Sequence, residues 1–239
     1  MIEFAHVTKK FPTGEIVLDD ISFIINPGEF VCLTGKSGVG KTTLGRLLIR
    51  DLLPTKGEIK VDGEDLSQMK PRDTPRLRRK IGFVFQDYKI IPDKTVAENI
   101  TFALEIAGVY PKEIPSRIEK LLKLVDIPSK GNLFPLQLSG GELQRASIAR
   151  AIAADPPILF ADEPTGNLDK ETSIEIFNLL KKINEGGTTV IMATHDVTLI
   201  NVHRARLIHL EKGKIAYDKD NLTAKELEKS AAKDKSNKK

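Results

Sequence analysis

Asp162 and Glu163 stand side by side at the end of the apolar run "ILFADE". Successive side chains on a strand point to opposite faces, so neighbouring carboxylates at a strand end serve separate tasks. Asp162 suits a hydrated magnesium ion, and Glu163 suits the orientation and polarisation of a water attacking a phosphoryl group. Taken alone, the pair reads equally well as an acidic strand end that caps the next loop. Its company weighs against that. Upstream, "GKSGVGKTT" places Gly35, Gly40, Lys41 and Thr42 in the G-x-x-x-x-G-K-[ST] pattern, between the apolar run "VCLTG" and the helical run "KTTLGRLLIRDL". Glycines let backbone amides turn inward onto phosphates, a helix N-terminus adds a favourable dipole, and Lys41 brings a full charge to the β- and γ-phosphates. Thr42 is placed for magnesium, and Ser37, Gly38 and Thr43 fall in the same phosphate-binding stretch. ATP and Mg2+ are the cofactors this set calls for.

Gln86 closes "IGFVFQ" and His195 closes "VIMATH", which predicts both at the sheet edge that holds the phosphates. Alone, the first would be a loop-capping amide and the second a structural histidine. His6, His203 and His209 have no such placement and are expected at the surface or in packing. A second glycine run, "LSGGELQR" from Leu138 to Arg145, carries no metal ligand and no base. Ser139, Gly140 and Gly141 open the helical run "GELQRASIARAI", so their amides and one hydroxyl make a second anion-binding cup backed by a helix dipole. The plainer reading is a glycine-containing N-cap.

The elements that must position these residues follow from pattern. "FVCLTG", "IGFVFQ", "ILFADEP" and "TTVIMATH" read as buried strands alternating with helices, as in a parallel sheet covered by helices. Ligands bind at the carboxyl ends of such strands. "IEFAHV", "IVLDDISFII" and "GEIKVDG" alternate more strictly, as half-exposed antiparallel strands do. From about Asp87 to Asp155 the strand signal gives way to helical spacing in "TVAENITFALEIAG", "PSRIEKLLKLVDI" and "GGELQRASIARAIAA", which predicts an inserted helical subdomain over 87–155. The 239 residues suffice for one substantial core. Much of the formal net charge of +4 gathers in the lysine-rich tail 221–239, and a strong nucleic-acid footprint is absent. Cys32, the single cysteine, rules out a disulfide framework and is expected as a buried small hydrophobe. With no signal-like N-terminus and no long apolar run, a cytoplasmic location is expected.

These motifs, in this order and spacing, resemble the ATP-binding cassette (ABC) ATPases over about residues 1–218, with "NLD" at Asn167 to Asp169 as a further match. The resemblance implies an α/β P-loop NTPase fold: a nucleotide-binding domain over 1–220 with a mixed core sheet, an antiparallel β layer and the helical insertion. It implies an ATP-dependent homodimer, in which the cup at Ser139, Gly140 and Gly141 closes over ATP held on the phosphate loop of a second copy. By the same resemblance Asp169 reaches across that interface, His195 contacts the γ-phosphate, and Gln86 senses it and helps hold the metal. Phe11 would stack on adenine, where the family more often has tyrosine. "ADEPTGNLD" and "QDYKIIPDKTV" are most similar to the cell-division branch, whose members sit peripherally on the inner face of the cell membrane through an FtsX-like integral membrane partner and whose output is control of peptidoglycan hydrolysis. The lipoprotein-release and efflux branches are the alternative, and a nucleic-acid-associated cassette is not expected. Tyr88, Ile90 and Ile91 form an apolar segment beyond Gln86 that reads as a docking patch, or else, with Val96, as packing of the insertion.

Overall fold

The computed structural model describes residues 1–196 and 205–220. His203 and the expected tail over 221–239 lie outside the described residues. The chain divides into two compact units, one of residues 1–69 with the chain from 191 on, the other of residues 70–190.

In the first unit, β1 (Ile2–Lys10) pairs antiparallel with β2 (Ile16–Ile25), setting Ile2 against Ile25 and Phe4 against Phe23. The pattern that predicts half-exposed strands is realised. Ile2, Phe4, Val7, Leu18, Ile21 and Ile25 are buried, while Ile16 and Ile24 face outward. The Phe4 and Phe23 rings stack at 4.6 Å between centroids. Three-residue runs of β-branched and aromatic side chains on one pleated face are what hold such a layer. β3 (Phe30–Thr34) follows, fully apolar through Val31, Cys32 and Leu33, and α1 (Lys41–Leu48) starts seven residues beyond its end at Thr34. β4 (Lys56–Val61) then returns to pair with β1, and β5 (Glu64–Asp65) extends that sheet in the order β2-β1-β4-β5.

The second unit begins with α2 (Thr74–Arg79) and β6 (Ile81–Val84). Residues 87–155 hold α3 (Val96–Ile106), α4 (Ile114–Leu124) and α5 (Gly140–Ile152), and no strand. β7 (Ile158–Asp162) runs parallel to β6 with Ile81 opposite Ile158 and Val84 opposite Ala161, and the Phe83 and Phe160 rings stack at 5.1 Å. α6 (Lys170–Glu185) closes the unit, and β8 (Thr189–Thr194) carries the chain back into the first. There, β9 (Arg206–Glu211) lies parallel to β3, with Cys32 opposite Leu207, and β10 (Lys214–Lys219) pairs antiparallel with β9. Parallel and antiparallel pairs therefore share one sheet, as a mixed core sheet requires. Arg206 ties the end of this hairpin down, donating to Asp218 at 2.7 Å and to Glu29 at 2.7 Å. Cys32 is fully buried, and burial pushes its thiol up to about 12, which makes it an inert core residue.

Candidate functional site

The phosphate loop owes its shape to two glycines. Gly40 has φ 114° and a Cβ there would stand 2.6 Å from Leu18 Cδ2, while Gly35 has φ 143° and a Cβ there would stand 2.5 Å from the carbonyl oxygen of Leu210. Both positions combine a backbone that L side chains avoid with no room for one. Gly40 is also the N-cap of α1, so no side chain blocks the amides of that helix start. Lys41 is only 4% exposed, and its ammonium donates to the carbonyls of Gly35 at 2.8 Å and Lys36 at 3.1 Å. The cation is thus curled into the loop it serves, and the two carbonyls are neutral acceptors that a phosphate would outcompete. Ser37, Gly38 and Thr42 are exposed around it and Thr43 is half-buried. In the same unit His195 directly follows β8 and is exposed. Phe11 is half-buried, and the Lys9 ammonium lies 5.4 Å from its ring centroid, covering one side of the ring. His209 stacks on Tyr217 at 4.8 Å and its Nδ1 meets the Thr34 hydroxyl at 2.9 Å, while His6 is exposed beside Asp20, so both are surface or packing residues.

In the second unit, Asp162 ends β7 and is 3% exposed. Glu163 follows in the left-handed region at φ 47°, a conformation that costs a non-glycine residue roughly 1–2 kcal/mol. The turn Gly166 N–H to Glu163 O at 3.1 Å holds it there. Asp162 is thus buried, while Glu163 beyond the strand end is half-buried. Asp169 is the N-cap of α6: its carboxylate accepts from the Thr172 backbone at 2.9 Å and the Thr172 hydroxyl at 2.7 Å, and these donors hold its carboxyl below the usual range.

Ser139 is the N-cap of α5 in a full capping box with Glu142. A Cβ on Gly141 would sit 2.7 Å from Thr172 Cγ2, so Gly141 is what allows the start of α5 to lie against the start of α6. Glu142 is held down at about 2, first by Lys130 and then by the backbone and hydroxyl donors of Ser139. Since the folded value lies below the ordinary 4.5, the stabilisation is complete above about 4.5 and is lost as pH falls toward about 2. In an NMR titration the Glu142 carboxyl is therefore expected to titrate with a midpoint of about 2. A midpoint at the ordinary carboxylate value would refute this account of the box.

Gln86 lies two residues past the end of β6, exposed, where the Tyr88 N–H to Phe85 O bond at 3.0 Å takes the chain into a turn. Tyr88 and Lys89 both have positive φ, 60° and 50°. α5 pins this strained turn. Arg150 donates to the Tyr88 carbonyl at 2.9 Å and to that of Lys89, and Ser147 donates to Tyr88 at 3.2 Å. Buried Asn99 on α3 clamps the next stretch, accepting from Ile91 N–H at 2.9 Å and donating to the carbonyls of Ile91, Lys94 and Thr95. Val96 is core, as the packing reading has it, and Ile90 and Ile91 are half-buried. Beside them opens a groove of about 470 Å³ that Ile91 lines and Tyr88 does not, floored by Phe83, Phe85 and the exposed α3 residues Phe102 and Ile106 at 53% and 55%. Arg78, Arg79, Lys89 and Arg150 also line it. Burial in these surroundings lowers the Arg150 pKa. Neither Arg150, Asn99, Phe102 nor Ile106 stands out in the sequence as a functional residue. The available signal was a charge inside the apolar run "IARAI" and a polar residue inside "VAENITFAL".

A model of the ABC transporter family matches residues 18–166. Over 218 residues the chain is 48% identical to the cell division ATP-binding protein FtsE of Bacillus subtilis, covering 91% of this chain and 96% of that protein. It is 44% identical over 213 residues to FtsE of Escherichia coli, covering 89% and 96%. Among solved structures it resembles the ATP-binding cassette MJ0796 as a dimer in a post-hydrolysis state bound to ADP and Pi, with TM-score 0.83, 36% identity, and 93% of this chain and 99% of that one covered. It also resembles cbiO1 of Clostridium perfringens, part of the cbiONQ transporter complex, with TM-score 0.86, 27% identity and coverage of 98% and 93%.

Proposed function

Because the chain belongs to the ABC transporter family, we propose that it is an ATPase that dimerises on ATP and drives a conformational change in an FtsX-like integral membrane protein, regulating peptidoglycan hydrolysis at cell division. The observation that carries this reading is the 48% identity to FtsE along 91% of the chain. The location that goes with it is the inner face of the cell membrane, peripheral and held by the partner. Among the described residues no helix is long and apolar enough to cross a membrane.

In this proposal Phe11 stacks on adenine, and Gly35, Ser37, Gly38, Gly40 and Thr43 surround the phosphates. Lys41 leaves the loop carbonyls for the β- and γ-phosphates. Thr42, Gln86 and Asp162 would hold Mg2+: they offer a hydroxyl, an amide and a buried carboxylate oxygen, all hard donors. Bound there, the ion would neutralise charge developing on the phosphates. Glu163 takes a proton from water as the water oxygen bonds to the γ-phosphorus and the bridging oxygen leaves on ADP. His195 contacts the γ-phosphate. Ser139, Gly140 and Gly141 of a second copy cover its other flank, with Asp169 at the interface. Closure needs donors on both flanks, so cleavage and loss of phosphate would loosen it.

The groove on the second unit is the proposed seat of the membrane partner. Its apolar floor and four cations suit a short amphipathic helix carrying a carboxylate. Phe102→Asp is expected to leave basal ATP hydrolysis within a few-fold of normal, since the side chain is half exposed and outside the phosphate machinery, while abolishing co-purification with an FtsX-like protein. Cells carrying it should fail to separate daughters. Retained co-purification would remove the groove from the proposal, and mislocalised lipoproteins without a division defect would move the chain to the lipoprotein-release branch.

A further inference from the structure

The anion cup at the start of α5 already has an anion beside it. Glu142 Oε2 accepts from the Ser139 backbone at 2.9 Å and from the Ser139 hydroxyl at 3.0 Å, while the Glu142 N–H donates to Ser139 Oγ at 3.3 Å. A difficulty follows for a cup meant to receive a triphosphate. Ser139 holds a carboxylate, so a full negative charge sits one hydrogen bond from where the phosphate must arrive. Like charges at such a separation oppose closure strongly when water is excluded.

The other carboxylate oxygen explains how the cup still works. Glu142 Oε1 is 2.8 Å from Lys130 Nζ, and both side chains are about two-thirds or more covered, at 33% and 27% exposed. Lys130 is not on a free-swinging loop. Its backbone N–H bonds to Ile127 O at 3.1 Å, its carbonyl accepts from Leu133 N–H at 3.1 Å, and the neighbouring Gly131 and Leu133 carbonyls accept from Ala97 and Val96 in the first turn of α3 at 2.8 and 2.9 Å. A Cβ on Gly131 would approach Leu122 Cδ1 to 3.0 Å, so this strap lies close against α4. An exposed ion pair between two long side chains contributes little, but one whose cation is fixed by its backbone and whose anion is shared with the N-cap serine is an ordered network.

We propose that Lys130 is a positioning residue for the phosphate-receiving cup: by pairing with Glu142 Oε1 it neutralises the carboxylate that Ser139 holds, so that the start of α5 faces ATP held by a second copy of the chain without a net negative charge. This rests on the reading that Ser139 acts across a dimer. Lys130 touches neither nucleotide nor metal and acts through Glu142 alone. Without the ammonium, the cup presents a net negative charge to the γ-phosphate. A glutamine at position 142 would keep the reciprocal capping hydrogen bonds without the charge.

The test uses full-length protein carrying Glu163→Gln, so that bound ATP stays intact, and reads ATP-dependent dimerisation by sedimentation together with binding of a fluorescent ATP analogue to monomer at low protein concentration. Lys130→Ala is expected to weaken dimerisation at least tenfold at low salt, with monomer nucleotide affinity unchanged and the defect shrinking as salt rises. Lys130→Arg should retain dimerisation, and adding Glu142→Gln to Lys130→Ala should restore it. A strap that merely folded the loop would not be rescued by removing the partner's charge. Parental dimerisation in Lys130→Ala, or failure of Glu142→Gln to rescue it at parental helical content, overturns the inference while the dimer reading stands. A Glu163→Gln parent that never dimerises overturns the dimer reading and this inference with it.

Discussion

Lys41→Ala is expected to lower ATP turnover by on the order of 10³-fold or more, with a marked loss of nucleotide affinity. The argument is electrostatic. Lys41 is a full positive charge that the phosphate loop aims inward, it is buried at 4% exposure, and it donates to the carbonyls of Gly35 and Lys36. A buried ammonium facing a triphosphate makes charge-assisted hydrogen bonds about twice as strong as neutral ones, and alanine supplies none of them. Gly35 and Lys36 would also lose their donor, so the folded state should be checked by thermal melting, with Lys41→Met as a variant that keeps the aliphatic stem. Near-normal turnover in either variant would remove the loop from the site. The same variant tests the dimer. Ser139→Arg should keep monomer nucleotide binding and block closure, and mixing it with Lys41→Ala leaves one intact composite site per heterodimer. Recovery of activity on mixing is expected only if loop and cup work in trans.

Glu163→Gln is the second large effect: turnover should fall by about 10²- to 10⁴-fold while ATP binding persists. Glutamine keeps the shape and the hydrogen-bonding reach of Glu163 at its left-handed position but accepts no proton. With hydrolysis stopped and binding intact, the ATP-bound dimer should accumulate, visible as a nucleotide-dependent shift in size-exclusion chromatography. A chain that turns over ATP normally with this substitution does not use Glu163 as its base. A chain that stalls but stays monomeric at saturating ATP, with and without its membrane partner, would leave the base assignment intact and remove the dimer.

The strands that carry the chemistry were legible because buried strands of this kind are nearly uninterrupted apolar runs. β3, β7 and β8 lie within the runs read from sequence, and β6 ends at Val84 inside the run that was read to Gln86. The three helices between 87 and 155 were legible for the opposite reason, an apolar period near 3.6; that Thr95–Glu98 and Ser139–Glu142 form capping boxes at two of their starts emerges from the structure. β9 and β10 were not singled out, because "RLIHLE" and "KIAYDK" are short and mixed in polarity and gain their meaning only from pairing with β3 and with each other. For Asp169 the family resemblance implies a role across an interface, and the structure adds that both its carboxylate oxygens cap the start of α6.

What the sequence by itself determined is the chemistry and its order: a phosphate loop needs its glycines, lysine and threonine within a few consecutive residues, and an acid pair needs one strand end, so both are local patterns that survive in a one-dimensional string. What only the tertiary structure decided is how those patterns are held. Arg150 reaches back some sixty positions to the Tyr88 and Lys89 carbonyls, Asn99 clamps the loop that follows them, Lys130 finds Glu142 from a strap bonded to α3, and the groove is floored by Phe102 and Ile106 and not by Tyr88. Each depends on side chains brought together from separate elements, and the burial that makes their hydrogen bonds and charges count arises only once those elements pack.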